Sequence, residues 1–192
     1  MERPSVDGGK TPLRRWYRQR RAELLVAAQP ELLAAAAREL PQLLPMELRL
    51  GIYWPLAGEA DLTPLAEHPQ LSGRLALPRV AQGQLRYRPW QPGEPLSPDD
   101  TGIPAPSGTP DLEAQELGLL LAPALACDRQ GIRLGYGGGW FDRLRSTPPW
   151  RAIPALMVLP AGCLEPQLPQ DPWDVPFDGW LTERGLDWLR AV

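Results

Sequence analysis

The chain has 192 residues, 43% of them hydrophobic and 22% charged, with a formal net charge of −3. That length suits one domain with a real core, and the weakly acidic balance excludes broad electrostatic binding to nucleic acid. Two cysteines and one histidine exclude a disulfide scaffold, and any zinc site, Ser-His-Asp triad or Cys-His pair would depend on His68 alone.

Taken in chain order, residues 1–9 are expected to be a flexible N-terminus, ahead of a single domain over 10–192. The N-terminus lacks the apolar core of a signal peptide, and no run of about eighteen apolar residues could span a membrane, so a cytoplasmic protein is expected. Thr11 to Ala28 has helical periodicity, with Arg14, Arg18 and Arg21 at i, i+4 and i+7 on one face. A second, Ala/Leu-rich helix is predicted over Glu31 to Leu44. Leu48, Leu50, Ile52 and Trp54 alternate like a strand entering the core. Ala60 to His68 predicts a short helix, and His68, beside Pro69, suits a solvated helix end.

Leu75 to Val80 and Leu85 to Trp90 predict two strands. Of the 25 prolines, many fall between residues 89 and 110, which must be extended or turned; the strand candidates on both sides favour an ordered surface excursion. Leu117 to Leu125 is almost wholly apolar, as in a strand buried on both faces. Trp140 to Ser146 predicts a helix stopped by Pro148 and Pro149. Ala152 to Leu159 and Trp180 to Thr182 predict strands, and Glu183 to Ala191 a closing helix. Strands alternating with helices imply an α/β fold with a largely parallel sheet.

Five of the nine residues from Gly131 to Gly139 are glycine, placed between a buried strand and a helix start. Glycines there let backbone N–H groups approach a phosphate, and ligands of open α/β sheets bind beyond the carboxyl ends of the strands. The segment is neither a Walker A loop, since Trp140 follows Gly139, nor a Rossmann fingerprint. A tight strand-to-helix turn would also explain it.

Read in full, Pro123 to Asp142 resembles the signature of the 5-formyltetrahydrofolate cyclo-ligase family. Pro123, Asp128, Gly131, Arg133, Leu134, Gly135, Gly137, Gly139 and Asp142 stand at matching positions, Trp140 and Phe141 replace two tyrosines, and Cys127 replaces a phenylalanine. Lys10-Thr-Pro-Leu-Arg14 resembles the family's N-terminal nucleotide-binding motif. The segment Tyr53 to Asp61 resembles its strand-to-helix motif, with Glu59 near the reduced pterin, although Glu59 and Asp61 also read as acids in a helix's first turn. Leu168 to Thr182 resembles its late motif, in which Asp174 stands at a Mg²⁺ ligand.

The resemblance implies a three-layer α/β/α fold around a mainly parallel sheet. It implies an enzyme of folate and one-carbon metabolism, an ATP- and Mg²⁺-dependent cyclo-ligase. Such an enzyme closes 5-formyltetrahydrofolate to 5,10-methenyltetrahydrofolate and releases ADP and phosphate. It implies Arg133 and Asp142 as catalytic residues and Asp142 with Asp174 as metal ligands. For ATP it implies Lys10, Arg14, Arg133, Leu134, Gly135, Tyr136, Gly137, Gly138, Gly139, Trp140 and Phe141. For the folate it implies Trp54 and Glu59 with Tyr136, Gly137, Gly138, Gly139 and Trp140. The expected partners are these small molecules, for a monomer that binds neither nucleic acid nor membrane.

Many family members have lysine at the position of Gly138, so Arg143 or Arg145 is the expected substitute cation. Two other readings stay open. One is a paralogue of the same fold acting on another heterocycle; the other is a folate- or nucleotide-binding protein without turnover.

Overall fold

The computed structural model describes residues 3–5 and 8–189. Its first element is one helix, α1 (Lys10–Leu43), where the sequence predicts two. Pro30 removes the N–H that would bond the carbonyl of Val26, but both residues lie on the exposed side, where water can take that carbonyl. Gln29 meanwhile exchanges two hydrogen bonds with the backbone of Asp61, at 2.7 and 3.0 Å. The buried stripe Leu13, Tyr17, Arg21, Leu25, Ala28, Leu32, Ala35, Ala36 and Leu40 runs unbroken past the proline at the three- and four-residue spacing of one helix face.

The central sheet has the strand order β12-β11-β9-β6-β1-β2-β3. The strands are β1 (Arg49–Gly51), β2 (Leu75–Ala81), β3 (Gln84–Trp90), β6 (Leu117–Pro123), β9 (Ala155–Val158), β11 (Gly179–Thr182) and β12 (Gly185–Trp188). Pairings from β11 through β9, β6 and β1 to β2 are parallel; β3 and β12 close the two edges antiparallel. Successive β6 residues feed opposite cores: Leu119 and Leu121 pack with the C-terminal part of α1, while Leu120 and Ala122 pack with Leu144. Leu144 belongs to a short helix α2 (Trp140–Arg145), which is followed by α3 (Pro148–Arg151). The expected α/β fold with helices on both faces of a mainly parallel sheet is observed.

The predicted helix over 183–191 is instead the β12 hairpin arm, with residues 190–191 outside the described set. A turn over Thr182 to Gly185, in which the Arg184 N–H donates to Thr182 Oγ1, reverses the chain. Glu39 of α1 then accepts the Leu186 N–H at 3.0 Å, so tertiary pairing overrides local helix preference. The predicted short helix over 60–68 is a 3-10 turn over Thr63–Glu67. Pro148, expected to stop a helix, opens α3, where its missing N–H costs nothing.

The proline-rich excursion is ordered. It holds a two-strand ribbon, β4 (Leu96–Pro98) with β5 (Pro104–Pro106), docked on β2 because Asp99 accepts the N–H groups of Val80, Thr101 and Ile103. At the other end of the chain's order, Arg3 forms a two-point pair with Glu165 at 3.1 and 2.6 Å. Among the described residues no helix is long and apolar enough to cross a membrane.

Cys127 and Cys163 are both buried in the core that also holds Leu13 and Tyr17. Burial pushes the Cys163 thiol up to about 12 and raises that of Cys127 well above its ordinary range. The reactive thiolate is therefore absent at pH 8. An aromatic disulfide reagent is expected to label neither cysteine in native protein and both after denaturation; native labelling faster than global unfolding would contradict this packing.

Candidate active site

β1 and β6 are adjacent, yet the chain leaves β1 toward β2 and leaves β6 toward β9. A crevice opens at the carboxyl end of such a switch point. A cavity of about 300 Å³ lies there. Tyr53, Trp54 and Glu59 reach it from the segment after β1, and Pro123 from the end of β6.

Two small strands, β7 (Ala126–Asp128) and β8 (Arg133–Leu134), pair antiparallel beyond β6. Asp128 shapes their turn: its buried carboxylate accepts the N–H groups of Gln130 and Ile132 on one oxygen and of Leu168 on the other. The chain then runs from β8 through Gly135 to Gly139 and into α2. Gly137 has φ +105°, a region L side chains rarely adopt. The Trp140 indole lies over Gly138, so that a Cβ there would sit 2.7 Å from Trp140 Nε1. Glycine at 138 and tryptophan at 140 are thus one packing solution, with the indole occupying the space a side chain at 138 would use.

Of the residues singled out from sequence, Lys10, Arg14, Trp54, Glu59, Arg133, Gly135, Tyr136, Gly137, Gly138, Gly139, Trp140, Phe141, Asp142 and Asp174 all line this cavity. Leu134 does not; its side chain is buried in the apolar core beneath the loop. Arg145, expected as a substitute cation, is also excluded. It is buried, donating to the carbonyls of Ile153 and Pro176 and pairing with Asp178 at 3.2 Å. Arg143 is exposed and stacks on Trp140, its Cζ 4.4 Å from the ring centre.

The cations at or just behind the cavity wall have carboxylate partners, with one exception. Lys10 Nζ lies 2.8 Å from Asp171 and 2.5 Å from Asp174. Arg133 donates to the Pro123 carbonyl at 3.0 Å, lies 3.8 Å from Asp142 and rests against the rings of Phe141 and Phe177. Burial lowers the pKa of Arg133, opposed chiefly by the charge of Asp142. Glu59 and Arg21 face each other at 3.7 Å with both side chains nearly inaccessible. Arg14 is the exception: it donates Nε to the Gly135 carbonyl at 2.9 Å and has no carboxylate partner among the described residues. Its charge remains available to an anion.

Asp142 and Asp174 lie close together, since Asp142 Oδ1 accepts the Val175 N–H at 3.3 Å. Asp174 Oδ2 is occupied by Lys10 and the Asp171 N–H; its Oδ1 accepts no hydrogen bond from the described residues. Two carboxylates with a free oxygen beside a cationic loop form a hard-oxygen donor set suited to Mg²⁺ shared with phosphates. Among the described residues no group of three or more His, Cys, Asp or Glu side chains is arranged to hold a metal without such added ligands.

Sequence reasoning did not assign Tyr53, Asp171 and Trp173 to the site, nor the wall formed by Pro78, Val80, Leu85, Asp99, Thr101 and Ile103. Arg21, just behind the lining, carried a signal in its place on the helix face of Arg14. The β2–β3 and β4–β5 ribbons become a wall through tertiary folding that no local pattern reveals. His68 is not part of the lining.

The family model described as the 5-formyltetrahydrofolate cyclo-ligase family matches residues 7–183. The 5-formyltetrahydrofolate cyclo-ligase of Escherichia coli K12 is 29% identical over 174 residues, covering 86% of this chain and 95% of its own. The solution structure of Aquifex aeolicus 5,10-methenyltetrahydrofolate synthetase superposes with a TM-score of 0.77 at 26% identity, covering 95% and 94% of the two chains. The 5,10-methenyltetrahydrofolate synthetase of Mycoplasma pneumoniae, 18% identical over 91% of this chain and 98% of its own, shares the fold with a TM-score of 0.68.

The fit of Trp140 over Gly138 predicts coupling between the two positions. Gly138→Ala is expected to destabilise the protein by about 1 kcal/mol through overpacking, and to cost nothing in a Trp140→Ala background. Equal effects in the two backgrounds, measured by denaturant unfolding, would refute this contact.

Proposed function

The chain belongs to the 5-formyltetrahydrofolate cyclo-ligase family, and we propose that its cavity takes 5-formyltetrahydrofolate together with ATP and Mg²⁺ and closes the folate to 5,10-methenyltetrahydrofolate. The observation that carries this reading is the meeting of two kinds of wall in one cavity. A glycine loop with an uncompensated arginine faces two carboxylates, while a buried carboxylate oxygen of Glu59 without a hydrogen-bond partner stands with Trp54 and Trp140. The first suits a triphosphate; the second suits a flat heterocycle whose ring N–H and amino groups are donors.

The formyl oxygen takes the γ-phosphoryl group of ATP and ADP departs. The folate's N10 then attacks the activated carbon, the C–O bond breaks and inorganic phosphate leaves with the ring closed. Both nucleophiles belong to the substrate, so the protein's task is placement and charge neutralisation. Arg14 and Lys10 supply positive charge to the phosphates, and the N–H groups from Gly135 to Gly139 support them. Glu59 orients the heterocycle by accepting its protons, and the indoles of Trp54 and Trp140 flank it. Arg133 braces the loop from beneath and holds Asp142 in place. Mg²⁺, held by Asp142 and Asp174, would neutralise charge on the phosphate oxygens. We further propose a cytoplasmic monomer that uses neither nucleic acid nor membrane.

Incubating the protein with 5-formyltetrahydrofolate and MgATP is expected to raise the methenyltetrahydrofolate absorbance band only when ATP is present. Arg14→Ala and Asp142→Ala are each expected to lower kcat/KM by about 100-fold or more, the scale for removing one charge-stabilising group, without loss of fold. A flat trace from folded, ATP-binding protein would remove the folate assignment.

A further inference from the structure

Arg21 lies behind the cavity wall, in the middle of α1, as one of the most deeply buried side chains, 1% exposed. Groups from three separate segments meet on it. Nη1 donates to the carbonyl of Ala124, just past β6, at 3.1 Å. The same nitrogen lies 3.7 Å from Glu59 Oε1. Nη2 donates to the hydroxyl of Tyr136, in the glycine loop. The guanidinium also lies over the Tyr136 ring, its Cζ 5.3 Å from the ring centre.

The geometry at Glu59 is asymmetric. Oε2 is occupied by the Leu56 N–H at 2.9 Å. Oε1 is buried and faces Arg21 beyond hydrogen-bonding distance, and the Tyr136 hydroxyl that accepts from Arg21 also interacts with the Glu59 carboxylate. Arg21 therefore gives the buried carboxylate an opposite charge and, through Tyr136, a fixed neighbour. Polar groups held together in this way away from water are set in one arrangement before a ligand arrives.

Resting on the folate reading above, we propose that Arg21 is a positioning residue that fixes the Glu59 carboxylate in the orientation that receives the heterocycle. Through the Tyr136 hydroxyl it also ties that group to the glycine loop, so that the heterocycle and nucleotide sites are set as one unit. It touches neither ligand; it acts through Glu59 on one side and Tyr136 on the other. Arg18, with its Cζ 5.4 Å from the Tyr136 ring centre, packs against the same ring but makes no contact with Glu59.

The test is a mutant cycle on substrate kinetics combined with amide exchange in the free protein. Arg21→Gln is expected to raise KM for 5-formyltetrahydrofolate by about tenfold or more, with a smaller change in kcat. Arg21→Lys, which keeps the charge, should recover part of that loss. Combining Arg21→Gln with Glu59→Gln should do no further harm than Glu59→Gln alone; additive losses would overturn the proposal. If burial prevents Arg21→Gln from folding, Tyr136→Phe and Arg21→Lys carry the test. In the substrate-free protein Tyr136→Phe should speed amide exchange at Gly135 to Gly139 several-fold, and adding Arg21→Lys should change it little. Unaltered exchange in Tyr136→Phe would overturn the tie to the loop. An inert wild-type enzyme would instead overturn the folate reading, and loop exchange would then decide the role of Arg21 alone.

Discussion

A charge removed from water must find an opposite charge or enough hydrogen bonds to replace what it lost, and this site is organised around that requirement. Arg21 with Glu59, Arg133 with Asp142, and Lys10 with Asp171 and Asp174 bring together residues from different elements. Each pair locks a different segment to its neighbour: α1 to the chain after β1, β8 to α2, and the start of α1 to the late loop. Arg14 stands outside the pattern, satisfied only through the Gly135 carbonyl. Arg14 is thus the lining cation that no carboxylate of the described residues neutralises, and the point at which an incoming polyanion can be met.

The fold makes this possible by sending α1 from one core to the other. Its first turns pack with Leu120 and Cys127, and its later turns with Leu50, Leu119 and Leu156 on the opposite face of the sheet. Between them the helix passes the carboxyl end of β6, where Arg21 reaches Ala124. The helix thus places Lys10 and Arg14 along one side of the switch-point crevice, with Arg21 behind them against Tyr136 of the glycine loop. The β2–β3 and β4–β5 ribbons, fastened through Asp99, complete the opposite wall.

Much of this was legible in the sequence because it is local. The apolar run of β6, the alternation around β1 and the glycine string each follow from neighbours a few residues apart, and fourteen of the fifteen site residues singled out line one cavity. Leu134 packs beneath the loop instead of lining the cavity, since a motif match records chain position, not the direction of a side chain. The errors elsewhere share a cause. Pro30 marks a helix break only if the carbonyl it frees cannot find a partner, and on the exposed face water can take it. Glu183 to Ala191 looks helical until Glu39, far away in sequence, offers an acceptor to Leu186. Arg145 was misjudged because nothing in the sequence shows that Asp178 and two carbonyls enclose it.

The account's central claim is that the protein supplies placement and charge while the substrate's own formyl oxygen receives the phosphoryl group. The most direct measurement uses 5-formyltetrahydrofolate carrying heavy oxygen in the formyl group, one enzyme turnover with MgATP, and mass analysis of the phosphate released. The account predicts that the heavy oxygen appears in inorganic phosphate. Unlabelled phosphate, with the heavy oxygen recovered in water or formate, would contradict it.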